Sequence, residues 1–232
     1  MKKIIVDLLS DTHNRHNHCQ CEGGDIIIHA GDVSGHGDAR EIISFLDWFG
    51  TQDYSHKILV PGNHDFGFEN SPKEFALLCK SRGITLLNDS GITVEGIKIW
   101  GSPVQPWFHD WAFNRQRGHE IRKHWNLIPK DTEILITHGP PAGTLDMTAY
   151  ADGTPKEPVG CADLTNKLAK LQVKLHVFGH IHEARGIKAK GDCTYVNASF
   201  LDRSYYPQAK QPIRAVREVC EDGSIVYLAE ER

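Results

Sequence analysis

The sequence predicts an α/β layered fold built around mostly parallel strands, with two sheets packed together. Three observations predict it: short apolar runs rich in Ile and Val, amphipathic helical stripes between them, and alternation of the two without a repeat or low-complexity linker. The runs are Ile4-Ile5-Val6, Ile26-Ile27-Ile28, Lys57-Ile58-Leu59-Val60, Ile97-Lys98-Ile99-Trp100, Ile134-Leu135-Ile136 and Leu175-His176-Val177-Phe178. Most are apolar at consecutive positions, as strands covered on both faces must be. With 232 residues, 40% of them hydrophobic, the chain can bury a substantial core, and a single domain over 1–232 is the expectation.

The helices follow from spacing and end signals. Asp38 is placed to cap a helix whose Ile42, Phe45, Leu46 and Phe49 follow the i, i+3, i+4, i+7 rule of a buried stripe. Ser71, Pro72 and Glu74 read as cap, first helical position and capping-box partner of a second helix, which Gly83 stops. A third holds Leu164, Leu168 and Leu171. The longest irregular stretch, Pro103 to Asn114, is rich in Trp, Phe and Pro, and loops of that kind shape a site or a partner surface. Tyr205 to Pro212 reads as a surface connection.

Composition excludes some functions. The formal charge is −4, with no run of Lys and Arg able to track a phosphate backbone, which argues against a long nucleic acid as partner. The opening MKKIIVDLLSDTH starts like a signal peptide, but the apolar stretch is short, contains Asp7 and leads to no small-residue cleavage site. It is expected to be a buried first strand. No apolar run approaches the roughly 18 to 20 residues of a membrane span, and a soluble chain is expected. The six cysteines at irregular spacing fit reduced thiols in the cytoplasm. His16-Asn17-His18-Cys19-Gln20-Cys21 concentrates soft ligands, but zinc sites draw on two well-separated pairs, so a polar loop is expected there.

The chemistry lies where the strands end. The first run leads into Ser10-Asp11-Thr12-His13, the second into Gly31-Asp32, the third into Gly62-Asn63-His64-Asp65. Further on come His138-Gly139-Pro140-Pro141 and Gly179-His180-Ile181-His182. Ligand sites of α/β sheets lie beyond the carboxyl ends of strands, so five such ends can converge on one crevice. Carboxylates, imidazoles and one amide oxygen suit Mn, Fe, Zn or Ni rather than Ca or Mg. An aspartate can bridge two such ions, and a pair about 3.5 to 4 Å apart lowers the pKa of a shared water towards neutrality. Glycines at 31, 62, 139 and 179 are expected to let the backbone approach closely.

The series Asp-x-His, Gly-Asp, Gly-Asn-His-Asp, His-Gly and Gly-His-x-His, from Asp11 to His182, resembles the calcineurin-like metallophosphoesterase superfamily. The resemblance implies a four-layer metallophosphoesterase β-sandwich flanked by helices. It implies one metal held by Asp11, His13, Asp32 and His182, the other by Asp32, Asn63, His138 and His180, with Asp32 as the bridge. His64 would not be a ligand but would sit beside the substrate phosphate, stabilising the transition state and protonating the leaving oxygen. Asp47-Trp48-Phe49, Pro106-Trp107-Phe108, Trp125 to Pro129, Val159-Gly160-Cys161 and Lys174 to Glu183 are similar to the small phosphodiesterase branch of metallophosphoesterase-domain-containing proteins. That branch implies Mn-dependent phosphodiesterase activity, cyclic nucleotides included. After Gly31-Asp32 the chain reads Val33-Ser34-Gly35, not the Gly-Asp-x-x-Asp-Arg-Gly of protein phosphatases, which argues against phosphoprotein substrates.

The expected reaction is hydrolysis of a small phosphodiester by a metal-bridging hydroxide, with Asp32 and His64 as the catalytic pair. Trp107, Phe108, Trp111 and Phe113 are candidates to stack on a base, and Asn114, Arg115 or Arg117 to contact its sugar or phosphate. His36, His109, His119 and His124 show no partner pattern, and His29 and His176, inside strands, are expected in the core. Exposed aromatics near Trp107 would suit a homodimer, which related phosphodiesterases commonly form. A phosphomonoesterase, a nuclease and a metal-binding scaffold are the alternatives on the same metal core.

Overall fold

The computed structural model describes residues 3–232. In chain order the first half forms β1 (Ile4–Leu9), β2 (Gly24–His29), α1 (Ala39–Gly50), β3 (Tyr54–Leu59), α2 (Phe66–Asn70), α3 (Pro72–Ser81), β4 (Ile84–Leu86), β5 (Ser90–Val94) and β6 (Ile97–Ser102). The second half forms β7 (Gln105–Pro106), β8 (Asn114–Arg115), α4 (His119–Trp125), β9 (Ile134–Thr137), β10 (Met147–Ala149), β11 (Pro155–Pro158) and α5 (Ala162–Leu168). It closes with β12 (Leu175–Phe178), β13 (Gly186–Lys190), β14 (Cys193–Asn197), β15 (Ile213–Val219) and β16 (Ile225–Glu230).

Two six-stranded sheets result, ordered β16-β15-β1-β2-β3-β4 and β13-β14-β12-β9-β6-β5. Within the first, β1 to β4 run parallel. In the second, β6, β9, β12 and β14 do. All the predicted runs lie in these parallel parts, while β15 and β16 in one sheet and β5 and β13 in the other add antiparallel edges.

Side-chain alternation explains the layering. Ile4, Val6, Leu8, Ile26, Ile28 and Ile58 join Ile99, Ile134, Ile136, Leu175, Val177 and Val196 in one core between the sheets. Residues of opposite parity, Ile27 and Leu59, pack with Phe45 and Phe49 of α1 and with Phe75 and Cys79 of α3. Leu135 packs with Ile121 and Trp125 of α4 and with Leu164 and Leu168 of α5. The result is a four-layer helix, sheet, sheet, helix sandwich, as expected for strands with both faces covered. Among the described residues no helix is long and apolar enough to cross a membrane.

Local expectations hold unevenly. Asp38 caps α1, its Oδ1 accepting from the Arg40 N–H at 2.8 Å. Ser71 precedes Pro72 of α3 but makes no side-chain cap bond, so the expected capping box is absent. The reason is α2 just before it: the Ser71 N–H already donates to Gly67 O at 2.9 Å, which fixes the residue at the end of one helix and the start of the next. His29 and His176 are buried, and burial lowers both to about 3.

Phe45 is fully buried, stacked on Phe49 at 5.2 Å and edge-on to His29 at 4.7 Å. Phe45→Ala is expected to destabilise the fold by about 3 to 5 kcal/mol in chemical denaturation, and a loss below about 1 kcal/mol would contradict this packing.

Candidate metal centre

The parallel strands end at one edge of each sheet, and the two edges meet. Asp11 and His13 follow β1, Asp32 follows β2, Asn63 and His64 follow β3, His138 follows β9, and His180 and His182 follow β12. A bridge between Ser10 and Ser199 and a hydrogen bond from His138 Nδ1 to Ala30 O (2.9 Å) tie one sheet to the other there. Asp11, Asp32, Asn63 and His138 are at most 2% exposed.

The side chains fall into groups of metal-ligand type whose candidate atoms lie within 4.8 Å of one another: Asp11, His13 and His182; Asp32, His138 and His180; and His13, Asp32 and His64. Asp32 Oδ2 is the junction, 3.6 Å from His13 Nε2 and 3.3 Å from His138 Nε2. His182 Nε2 lies 3.5 Å from Asp11 Oδ1 and 3.3 Å from His13 Nε2. Asn63 Oδ1 accepts from His138 Nε2 at 2.9 Å.

Backbone carbonyls aim the imidazoles. Nδ1 of His13 donates to Ser34 O (3.0 Å), that of His138 to Ala30 O and that of His182 to Asp202 O (2.9 Å). Since a carbonyl only accepts, each Nδ1 carries a proton and each Nε2 is turned inward. His64 is held in the same way, Nδ1 donating to Gly35 O at 2.5 Å, while its ring lies against Trp111 with centroids 4.1 Å apart. Asp11 accepts from Ser199 Oγ (2.8 Å) and the His180 N–H, and Asp32 Oδ1 accepts from the His64 N–H (2.8 Å).

These demands strain the chain. Asp11, His13, Asp32 and His180 all have left-handed backbone, with φ of 54°, 35°, 58° and 71°. Non-glycine residues are uncommon in that conformation, Asp and His less so than most, and four of them at one centre mark a demand imposed by their surroundings. Gly62 and Gly179 admit the close approach: a Cβ at Gly62 would lie 2.2 Å from Asp32 Oδ1, and one at Gly179 would lie 2.0 Å from Asp11 Oδ2. Gly139 differs from expectation, since a Cβ there would meet its nearest neighbour, Gln105, at an ordinary 3.5 Å.

Charge explains what the centre is fitted to hold. Burial by itself would raise both carboxyls, but His182 beside Asp11, and His138 and His64 beside Asp32, hold them below the usual carboxylate range. Burial would likewise strip protons from the imidazoles, yet Asp32 lifts His138 to about 9 and Asp11 lifts His182 to about 9. His13 and His180, where burial dominates, fall to about 4 and about 3. Two buried carboxylates thus force neighbouring imidazoles to become cations. A divalent ion relieves the same surplus of negative charge, and the oxygen and nitrogen donors match borderline transition metals.

Other expectations sort themselves here. Trp107 and Phe108 line a cavity of about 370 Å³ beside His180, together with Gln105, Arg117 and Lys156. Trp111 lies on His64 instead, and Phe113 is buried against the α1 side of the fold, so it is not available to stack on a base. Asn114 is also buried, its amide donating to Phe108 O and His109 O, and Arg115 donates to His124, so both brace the loop. His124 does have a partner, Asp89, at 2.6 Å. His36 is exposed but stands 6.2 Å from the His64 ring, whereas the exposed His109 and His119 join none of the ligand-type groups. His16 to Cys21 supplies none of those groups among the described residues: the His16 ring packs on Phe45 and Trp48, and the cysteines are free thiols.

Supporting residues escaped the sequence reading. Asp65, fully buried, accepts from the N–H groups of Gly62 and Ser34 and from Ser34 Oγ, joining the loops after β2 and β3; burial and then Asp32 push it up to about 6. Ser199, Asn197 and Asp202 lie far along the chain from the ligands they brace. The signals on offer were the place of Asp65 in Gly62-Asn63-His64-Asp65 and of Asn197-Ala198-Ser199 at a strand end.

A buried carboxylate and imidazole centre at the strand ends of this sandwich is that of a metal-dependent phosphoester hydrolase. The chain belongs to the calcineurin-like phosphoesterase family, whose model matches residues 5–184. It is 41% identical over 226 residues to human "Metallophosphoesterase domain-containing protein 1", covering 86% of this chain and 67% of that protein. It is 32% identical to UPF0046 protein K07C11.7 of Caenorhabditis elegans, covering 89% of this chain and 73% of that one. The protein TT1561 of Thermus thermophilus shares the fold at 14% identity, with a TM-score of 0.62 over 99% of both chains.

The two glycines give a paired test. Gly179→Ala is expected to lower the thermal midpoint markedly, and Gly139→Ala to cost at most about 1 kcal/mol. Equal effects would contradict the crowding at Asp11.

Proposed function

We propose that the protein is a dinuclear metal-dependent phosphodiesterase acting, as one unit, on small diesters including cyclic nucleotides. The observation that carries this reading is the position of Asp32 Oδ2 between the His13 and His138 imidazoles, from which one carboxylate could serve two ions. One ion would be held by Asp11, His13, Asp32 and His182, the other by Asp32, Asn63, His138 and His180. When bound, such ions neutralise the phosphate and supply a water acidic enough to react near pH 7. Mn is the proposed ion, with Fe, Zn or Ni matching the same donors.

The remaining roles belong to the chain. His64 is the proposed acid: with Nδ1 committed to Gly35 O, its Nε2 faces the centre 4.0 Å from Asp32 Oδ2 and can hold a proton for the leaving oxygen. Trp111 keeps the ring from turning. The cavity walled by Trp107 and Phe108 accommodates a flat ester arm; at its margin Arg117 is held by the Val159 and Gly160 carbonyls, and Lys156 is paired with Glu157 at 3.2 Å.

Three outcomes test the reading. Metal-stripped protein given Mn is expected to hydrolyse bis(p-nitrophenyl) phosphate and cyclic AMP, 2′,3′ or 3′,5′, in preference to p-nitrophenyl phosphate. Ions bound without turnover on any ester would favour a scaffold. His64→Ala is expected to keep its ions while kcat falls about 10²- to 10³-fold, and loss of ions in step with activity would remove His64 from that role. By elemental analysis, His138→Ala is expected to hold about one ion where the parent holds about two.

A further inference from the structure

Tyr205 falls in the stretch expected to be a plain surface connection, yet its ring lies against the centre. It meets His13 at 5.0 Å and His182 at 5.5 Å between centroids, edge-on at 74° in both cases. The placement is built rather than incidental. Tyr205 has a φ of 62°, a conformation that a bulky residue adopts only when it is imposed.

Asp202 imposes it. Its Oδ1 accepts from the N–H groups of Ser204 (2.8 Å) and Tyr206 (2.9 Å), and its carbonyl accepts from the Tyr205 N–H (2.9 Å). The same carbonyl accepts a hydrogen bond from His182 Nδ1–H, so one residue fixes both an imidazole of the centre and the ring beside it. Leu201 pairs with Pro207 to close the loop, and Arg203 ties it to the carbonyl of Tyr150 beyond β10. On another side Phe108 touches His180 at 5.1 Å, and the cavity of about 370 Å³ opens there. His64 and Trp111 occupy a further side.

We propose that Tyr205 is a specificity-determining wall: it closes the His13 and His182 side of the cleft to a large ester arm, so that the enzyme prefers diesters with one compact arm over those bulky on both. The inference rests on the phosphodiesterase reading. A diester brings two arms to the ions; the Phe108 cavity receives one, and the Tyr205 ring limits the other.

The test compares Mn-loaded wild type, Tyr205→Gly and Tyr205→Phe on methyl p-nitrophenyl phosphate and on thymidine 5′-p-nitrophenyl phosphate. Glycine suits the left-handed backbone, so the variant is not burdened by misfolding. Tyr205→Gly is expected to raise kcat/KM for the thymidine ester relative to the methyl ester by about tenfold, and Tyr205→Phe to keep the parent ratio. A second readout needs no turnover: EDTA is expected to strip Mn from Tyr205→Gly faster than from the wild type or Tyr205→Phe, since the wall shields one face of the ions. An unchanged ratio in Tyr205→Gly, or a phenylalanine variant that behaves like glycine, would overturn the wall, as would loss of the ions from Tyr205→Gly before EDTA is added. If the loaded wild type hydrolyses neither ester, the phosphodiesterase reading fails, and the EDTA rates still decide whether Tyr205 covers the centre.

Discussion

The arrangement depends on keeping two carboxylates, Asp11 and Asp32, charged while almost wholly out of water. Isolated buried charges are too costly to persist, so every group around them is arranged to supply compensating charge or hydrogen bonds. N–H groups of His180 and His64 and the Ser199 hydroxyl point at carboxylate oxygens, and His182 and His138 lend positive charge. A divalent ion bound there would supply the same compensation with stronger charge. The same need accounts for the left-handed backbone at Asp11, His13, Asp32 and His180, and for glycines where a methyl group would strike the carboxylates.

Parallel strands make this possible at little further cost. Each leaves its last residues at the same edge, and two such edges facing each other bring ligands more than a hundred residues apart within one crevice. The inter-sheet core holds the edges in register, while the outer helices cover the opposite faces. The surroundings of the centre are then added on loops. Trp111 reaches His64 because the Ala112 N–H donates to Asn63 O, which pins the aromatic loop to the turn that carries Asn63 and His64.

The candidate ligands were legible because metal chemistry restricts residue types and because strand runs announce their own ends. Asp11, His13, Asp32, Asn63, His138, His180 and His182 each stand within a few residues of an Ile- or Val-rich run, and the structure brings them together. Asp65 was legible as the end of the Gly-Asn-His-Asp motif but not in its role, and Ser199, Asp202 and Tyr205 were not legible at all. They are common residue types in ordinary loops, and their importance comes from an oxygen, a hydroxyl or a ring that the fold carries to the centre. The Trp107 to Phe113 loop shows the same limit: its four aromatics looked equivalent, but Trp107 and Phe108 line the cavity, Trp111 lies on His64 and Phe113 is core.

By itself, then, the sequence determined the layered α/β class, the central strands and the buried stripe of α1, and it offered the candidate ligands, because each depends on local periodicity or on the identity of the donor atoms. Tertiary structure alone decided which oxygen sits between the imidazoles, which carbonyl holds each ring, and that Tyr205 covers His13 and His182. Those are distances between chain segments far apart in order, and they arise only when the two sheets close on each other and the loops are tied across the seam.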